Sequence, residues 1–164
     1  MITLIAAVSS NGVMGDSTTN KMPWHCSEEL KFFKAQTMGK ILVMGRTTAE
    51  SVGKLPGRDS IVLSRNTNYT LAGFESKTMD NFIHKYSMNR NEDYMICGGA
   101  EIYKLFIPIA DKAIISTFKF SADGDVYLPT MDILGGQQAI LEEETDYEQF
   151  TVRTWVPTNL STPI

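Results

Sequence analysis

Apolar and polar residues alternate in blocks along this chain, and the blocks change period. Residues 1–8 are rich in Ile, Leu, Val and Ala, the pattern of a buried strand. Residues 9–21 are a polar, glycine-bearing loop of a length seldom idle, either a plain surface connection or a flap over a site. Met22-Pro23-Trp24 forms a stiff turn, and a helix is predicted from there through Thr37, with Ser27 as its cap. Residues 40–44 read as a short strand. A second helix follows from Gly45, where Thr47 and Glu50 have capping-box spacing and Arg46 stands just before. Leu55-Pro56-Gly57-Arg58-Asp59 is a turn and residues 60–63 a strand, with Ser64 and Arg65 at its end.

Residues 66–79 are turn-rich and carry no clear pattern. Asp80 is predicted to cap a helix that places Phe82, Ile83 and Tyr86 on one face, and residues 88–92 are a polar loop. The run from Tyr94 to Ile96 enters Gly98-Gly99 and then an apolar helix, a turn that lets backbone approach a ligand beside a helix N-terminus suited to a pyrophosphate. It is neither GxGxxG nor a P-loop. A strand over 112–118, a tight turn at 122–125, strands near 138–142 and 148–155 and a polar, proline-containing end complete the chain. Strands alternating with helices imply an α/β fold: a mixed, mostly parallel sheet covered on both faces, with an antiparallel C-terminal edge. With no repeat or linker, residues 1–164 are expected to form a single domain.

Composition narrows the function classes. The net charge is −4, with no run of Lys or Arg, which argues against nucleic acid or an anionic membrane as partner. The apolar N-terminus has no basic segment before it and is too short to span a bilayer. Cys26 and Cys97 are the two cysteines and neither belongs to a CxxC pair, so a reduced, cytoplasmic setting is expected. His25 and Cys26 are remote from His84 and Cys97, and no metal site is expected.

Candidate chemistry concentrates after Trp24. Glu29 and Phe33 share a helical face, with Leu30 beside them, and a carboxylate held against such side chains handles a proton near neutral pH. Glu28 and Phe32 share a face equally, and acids in a first turn commonly just complement the dipole. Periodicity leaves the choice open. Arg46, at a helix start, points to a phosphate contact, and Ser64 with Arg65 stands where ligands of open α/β sheets gather.

Several landmarks then line up in order. They are Leu4-Ile5-Ala6-Ala7, Gly15, Met22-Pro23-Trp24, Glu29 with Leu30 and Phe33, and Met44-Gly45-Arg46-Thr47. Leu55-Pro56-Gly57-Arg58, Leu63-Ser64-Arg65, Gly98-Gly99-Ala100-Glu101-Ile102-Tyr103 and Gly124-Asp125 before Leu128-Pro129 follow. In order and spacing these resemble the dihydrofolate reductase family, and beyond residue 129 only the general strand pattern matches. The resemblance implies an eight-stranded sheet with four helices. It implies NADPH-dependent reduction of 7,8-dihydrofolate to tetrahydrofolate, by hydride transfer to C6 and protonation at N5, in a monomer open to antifolate inhibitors.

It also selects Glu29 over Glu28. The implied catalytic set is Glu29 on the pterin, Trp24 holding a water, and Ser116 bracing the carboxylate in place of the family's threonine. Ile5, Ala6, Leu30, Phe33, Val52 and Leu55 are implied walls for the substrate rings, with Cys97 where an aliphatic side chain is usual. Arg58 is implied to grip the α-carboxylate of the glutamate tail, a task suited to a planar guanidinium. For the cofactor, Ala7, Met14 and Gly15 are implied at the nicotinamide. Gly45, Thr47, Thr48 and the run Gly98, Gly99, Ala100, Glu101, Ile102, Tyr103 are implied along the dinucleotide. Arg46, Leu63, Ser64 and Arg65 are implied around the adenosine end and its 2′-phosphate. Two other readings exist. A same-fold reductase of riboflavin synthesis would need a phosphate site for its substrate and not Pro23-Trp24 with Glu29. A non-catalytic nucleotide binder would need no acid in an apolar cleft.

Overall fold

A computed structural model describes residues 1–19 and 22–158. Residues 20–21 of the expected flap and the polar end after 158 lie outside the described residues. Among the described residues, eleven strands and four α-helices follow one another in the order β1 (Ile2–Val8), β2 (Val13–Gly15), α1 (Ser27–Thr37), β3 (Ile41–Gly45), α2 (Arg46–Val52) and β4 (Asp59–Leu63). Next come β5 (Glu75–Lys77), α3 (Met79–Met88), β6 (Tyr94–Ile96), α4 (Ala100–Phe106) and β7 (Lys112–Phe118). The short β8 (Val126–Tyr127) and β9 (Ile133–Leu134) precede the long hairpin of β10 (Gln137–Asp146) and β11 (Phe150–Pro157).

The main sheet runs β5-β4-β3-β6-β1-β7-β11-β10-β9. Every pair from β5 to β7 is parallel, and every pair from β7 to β9 antiparallel. The sheet has nine strands where eight were expected, because the two-residue β9 pairs with the start of β10. A separate ribbon joins β2 to β8.

The period of two sorts the core onto two faces. On β1, Ile2, Leu4, Ala6 and Val8 join Phe82 of α3 and Tyr103 and Phe106 of α4. Ile5 faces the other way, with Met44, Met95, Ile114, Phe118 and the partly buried Phe32 and Phe33 of α1. Connections leave β1 on one side through α1 and return on the other through α4. The strand order therefore reverses beside β1, and a crevice opens at the carboxyl ends of the parallel strands.

Three capping expectations are corrected. α1 begins at Ser27 itself, so its N-cap is Cys26 and no side chain caps it. α2 begins at Arg46 with Gly45 as N-cap, which puts Thr47 and Glu50 inside the helix instead of in a capping box. For α3 the cap is Thr78, whose hydroxyl accepts from the Asn81 N–H at 3.2 Å, with Asp80 in the first turn. The unpatterned stretch 66–79 contains β5, a polar edge strand.

Candidate active site

The crevice is a cleft of about 1800 Å³, roughly twice the upper size of a single small-ligand pocket. Every residue expected at the site lines it except Ser116.

The deepest part is acidic. Glu29 sits on the buried side of α1 and is 5 % exposed, while Glu28 is exposed. Among the described residues Glu29 is the one buried carboxylate. Burial raises its carboxyl from the ordinary 4.5 to about 7, and a hydrogen bond with the Ser116 side chain pulls partly the other way. Ser116 belongs to β7, opposite Ala7 of β1 and Val152 of β11, and is 1 % exposed. Ser116 does not itself line the cleft, and its side chain bonds Glu29, which does. Thr117 lies on the opposite face, beside a second, smaller cavity.

Around the acid the walls are apolar. Ile5, Leu30, Phe33, Val52 and Leu55 line the cleft, and Leu30 and Val52 are 42 % and 47 % exposed, a cost in water that an apolar ring would remove. Trp24 packs on Phe118, with ring centroids 5.2 Å apart, and its indole N–H is buried with no acceptor among the described residues. Such a donor suits a water or a ligand. Cys97, also on this wall, donates weakly to the Met95 carbonyl at 3.3 Å, and burial pushes its thiol up to about 12.

Arg58 is 7 % exposed and, among the described residues, has no carboxylate partner. Its Nε donates to the Pro56 carbonyl at 3.0 Å and its Nη1 to Thr37 Oγ1 at 3.1 Å. Thr37, wholly buried, donates in turn to the Phe33 carbonyl at 2.8 Å. A guanidinium so anchored has N–H donors to spare for an anion in the cleft.

The other arm is floored by backbone. Gly45 N–H donates to the Gly98 carbonyl at 2.9 Å, and the Gly98-Gly99 peptide is cis. A Cβ on Gly45 would lie 2.7 Å from Ile102 Cγ1, and Gly98 has φ +110°, a region that favours glycine. Tyr103 lies under this floor, its hydroxyl donating to the Ile5 carbonyl at 2.6 Å. Exposed Arg46 and Arg65, with Ser64, close the far end.

Over the cleft, the β2–β8 ribbon holds the described part of the flap. Ser17 N–H donates to Asp125 Oδ1 at 2.7 Å, and the Ser17 hydroxyl donates to the other oxygen of the same carboxylate. These bonds hold the Asp125 carboxyl below the usual range. A Cβ on Gly124 would come 2.5 Å from the Gly15 carbonyl, so glycine permits this close approach.

The dihydrofolate reductase family model matches residues 1–155. The dihydrofolate reductase of Neisseria meningitidis serogroup A is 41% identical over 133 residues, 80% of each chain. Dihydrofolate reductase type 3 of Salmonella typhimurium is 37% identical over 147 residues, covering 88% of this chain and 87% of that one. The chain belongs to the dihydrofolate reductase family. Among solved structures, the dihydrofolate reductase of Enterococcus faecalis complexed with NADP(H) and RAB-propyl superposes with a TM-score of 0.81, at 27% identity and 97% of both chains. Members of this family use NADPH and a small-molecule substrate, and the glycine floor and paired arginines here fit a phosphorylated dinucleotide.

Sequence reasoning missed three parts of this reductase site. Thr37 extends the face of Glu29 and Phe33 by one more step of four, a signal that was present. Lys34 at the mouth and Tyr69 near Arg46 also line the cleft, and Tyr69 lay in the unpatterned stretch.

Proposed function

We propose that this chain reduces 7,8-dihydrofolate to 5,6,7,8-tetrahydrofolate with NADPH, Glu29 serving the proton. The observation that carries this reading is the buried carboxyl of Glu29, raised to about 7 at the bottom of an apolar cleft. An ordinary surface acid would be fully ionised at neutral pH. This one is poised to hold or release a proton there.

Glu29 hydrogen-bonds N3 and the 2-amino group of the pterin, held in orientation by Ser116. Trp24 presents its indole N–H to a water that carries the proton towards N5. Protonation there removes the negative charge that reduction of an unprotonated imine would place on nitrogen, and so lowers the barrier. Leu30, Phe33, Val52, Leu55, Ile5, Ala6 and Cys97 enclose the rings, and Arg58 binds the α-carboxylate of the tail. The floor at Gly45, Gly98 and Gly99 takes the dinucleotide backbone, bordered by Thr47, Thr48, Ala100, Glu101, Ile102 and Tyr103. Ala7, Met14 and Gly15 meet its nicotinamide end, and Arg46, Leu63, Ser64 and Arg65 its phosphorylated adenosine end. When bound, NADPH supplies the hydride. The flap excludes water from the acid and the substrate ring.

The chain works as one domain over residues 1–164 and as a monomer, in the cytoplasm, without nucleic acid or membrane partners. The net charge of −4 speaks against nucleic acid or an anionic membrane as partner, and among the described residues no helix is long and apolar enough to cross a membrane. Purified protein is expected to oxidise NADPH only in the presence of dihydrofolate. Tight dihydrofolate binding without turnover, or turnover on a ribosylamino-pyrimidine instead, would overturn the assignment.

A further inference from the structure

Glu50 and Arg46 sit four residues apart on α2, the spacing at which a carboxylate and a guanidinium normally pair. Among the described residues they form no ion pair. Instead the Glu50 carboxylate accepts from the Tyr69 hydroxyl at 2.7 Å, and the Tyr69 ring lies under the Arg46 guanidinium at 6.0 Å from its carbon. Tyr69 is itself fixed from the loop side, its N–H donating to the Asn66 carbonyl at 3.1 Å, and it packs against the core cluster on the α1 face.

We infer that Tyr69 is a specificity-determining positioning residue that keeps Arg46 free for the 2′-phosphate of NADPH. This rests on the placement of that phosphate at Arg46 proposed above. Two functions are joined in one side chain. The hydroxyl occupies the carboxylate that would otherwise fold back onto Arg46 and neutralise it. The ring presents its negative face 6.0 Å from the guanidinium carbon, an attraction that engages no N–H and leaves the donors free. A phosphate carrying two charges then meets an unpaired cation, whereas NADH, with a hydroxyl at the same position, gains nothing from it. The anion-selective end is thus a three-residue device, Glu50–Tyr69–Arg46, of which one member comes from a loop without regular structure.

The test measures dissociation constants of NADPH and NADH by calorimetry on the intact protein, together with KM and kcat. Tyr69→Phe keeps the ring and releases Glu50. If Arg46 is then paired most of the time, NADPH binding weakens by the fraction still free, roughly three- to fivefold, with NADH binding unchanged. Glu50→Gln is made both alone and in the Tyr69→Phe background, and it should strengthen NADPH binding severalfold more in Tyr69→Phe than in the parent, whereas simple removal of a repelling charge gives equal gains in both. Equal weakening for both cofactors, or equal gains from Glu50→Gln in the two backgrounds, overturns the inference. Arg46→Ala separates the two levels. If it leaves NADPH binding intact, the placement of the phosphate fails. If it weakens NADPH alone while Tyr69→Phe does nothing, only the role of Tyr69 fails.

Discussion

The two ends of the cleft use opposite physics. At one end Glu29 is, among the described residues, the one buried carboxylate, in an apolar recess and bonded to the Ser116 hydroxyl, and burial raises its proton affinity. At the other end Arg46 and Arg65 stand in solvent. Desolvation makes a reactive group, while exposed charge makes a selective but weak grip. Arg58 lies between these regimes, a buried cation that only hydrogen bonds hold in place.

Removing the acid should break the contrast most severely. Glu29→Gln keeps the shape and loses the proton, and turnover at neutral pH is expected to fall by about 10²–10⁴. The loss should shrink at acidic pH, where substrate is already partly protonated; an equal loss across a pH–rate profile contradicts the proton role. Arg58→Ala is next. Deleting a buried charge partner costs about 2–5 kcal/mol, so dihydrofolate should bind some hundredfold more weakly in a titration while NADPH binding changes little.

Stability sharpens the same comparison. The Glu29 carboxyl titrates near 4.5 when unfolded and about 7 when folded, so its favourable contribution is fully present below pH 4.5 and lost as pH rises through 7. Denaturant unfolding of the ligand-free protein should show a loss of up to about 3 kcal/mol over that window, and Glu29→Gln should flatten it. The smallest expected effect belongs to the exposed end. Raising salt from low to high should weaken NADPH binding a few-fold through screening at Arg46 and Arg65, with kcat at saturation unmoved.

The sequence was most legible where packing and local pattern agree. β7 runs over the expected 112–118 because Ala113, Ile114 and Ile115 form an unbroken apolar run and most of its residues are buried. α1 ends at Thr37 as its periodicity predicts. Local signals misled where two polar residues compete for one job, as with Thr78 and Asp80 at the start of α3. β5 is Glu-Ser-Lys, an edge strand defined by its neighbour β4 and not by its own residues. At the site, helical spacing could not separate Glu29 from Glu28, since the deciding partner, Ser116, lies on a distant strand. Tyr69 was invisible for the same reason, as its role depends on a contact across a loop.

Cys97 carries a practical corollary. Burial pushes its thiol up to about 12, so little of it is thiolate at neutral pH and alkylation of the folded chain should be slow. Cys26, the other thiol, is buried, while Cys97 is half-buried at the cleft wall. A thiol probe entering the cleft therefore reports on its occupancy, and a pterin seated against Cys97 should slow the labelling.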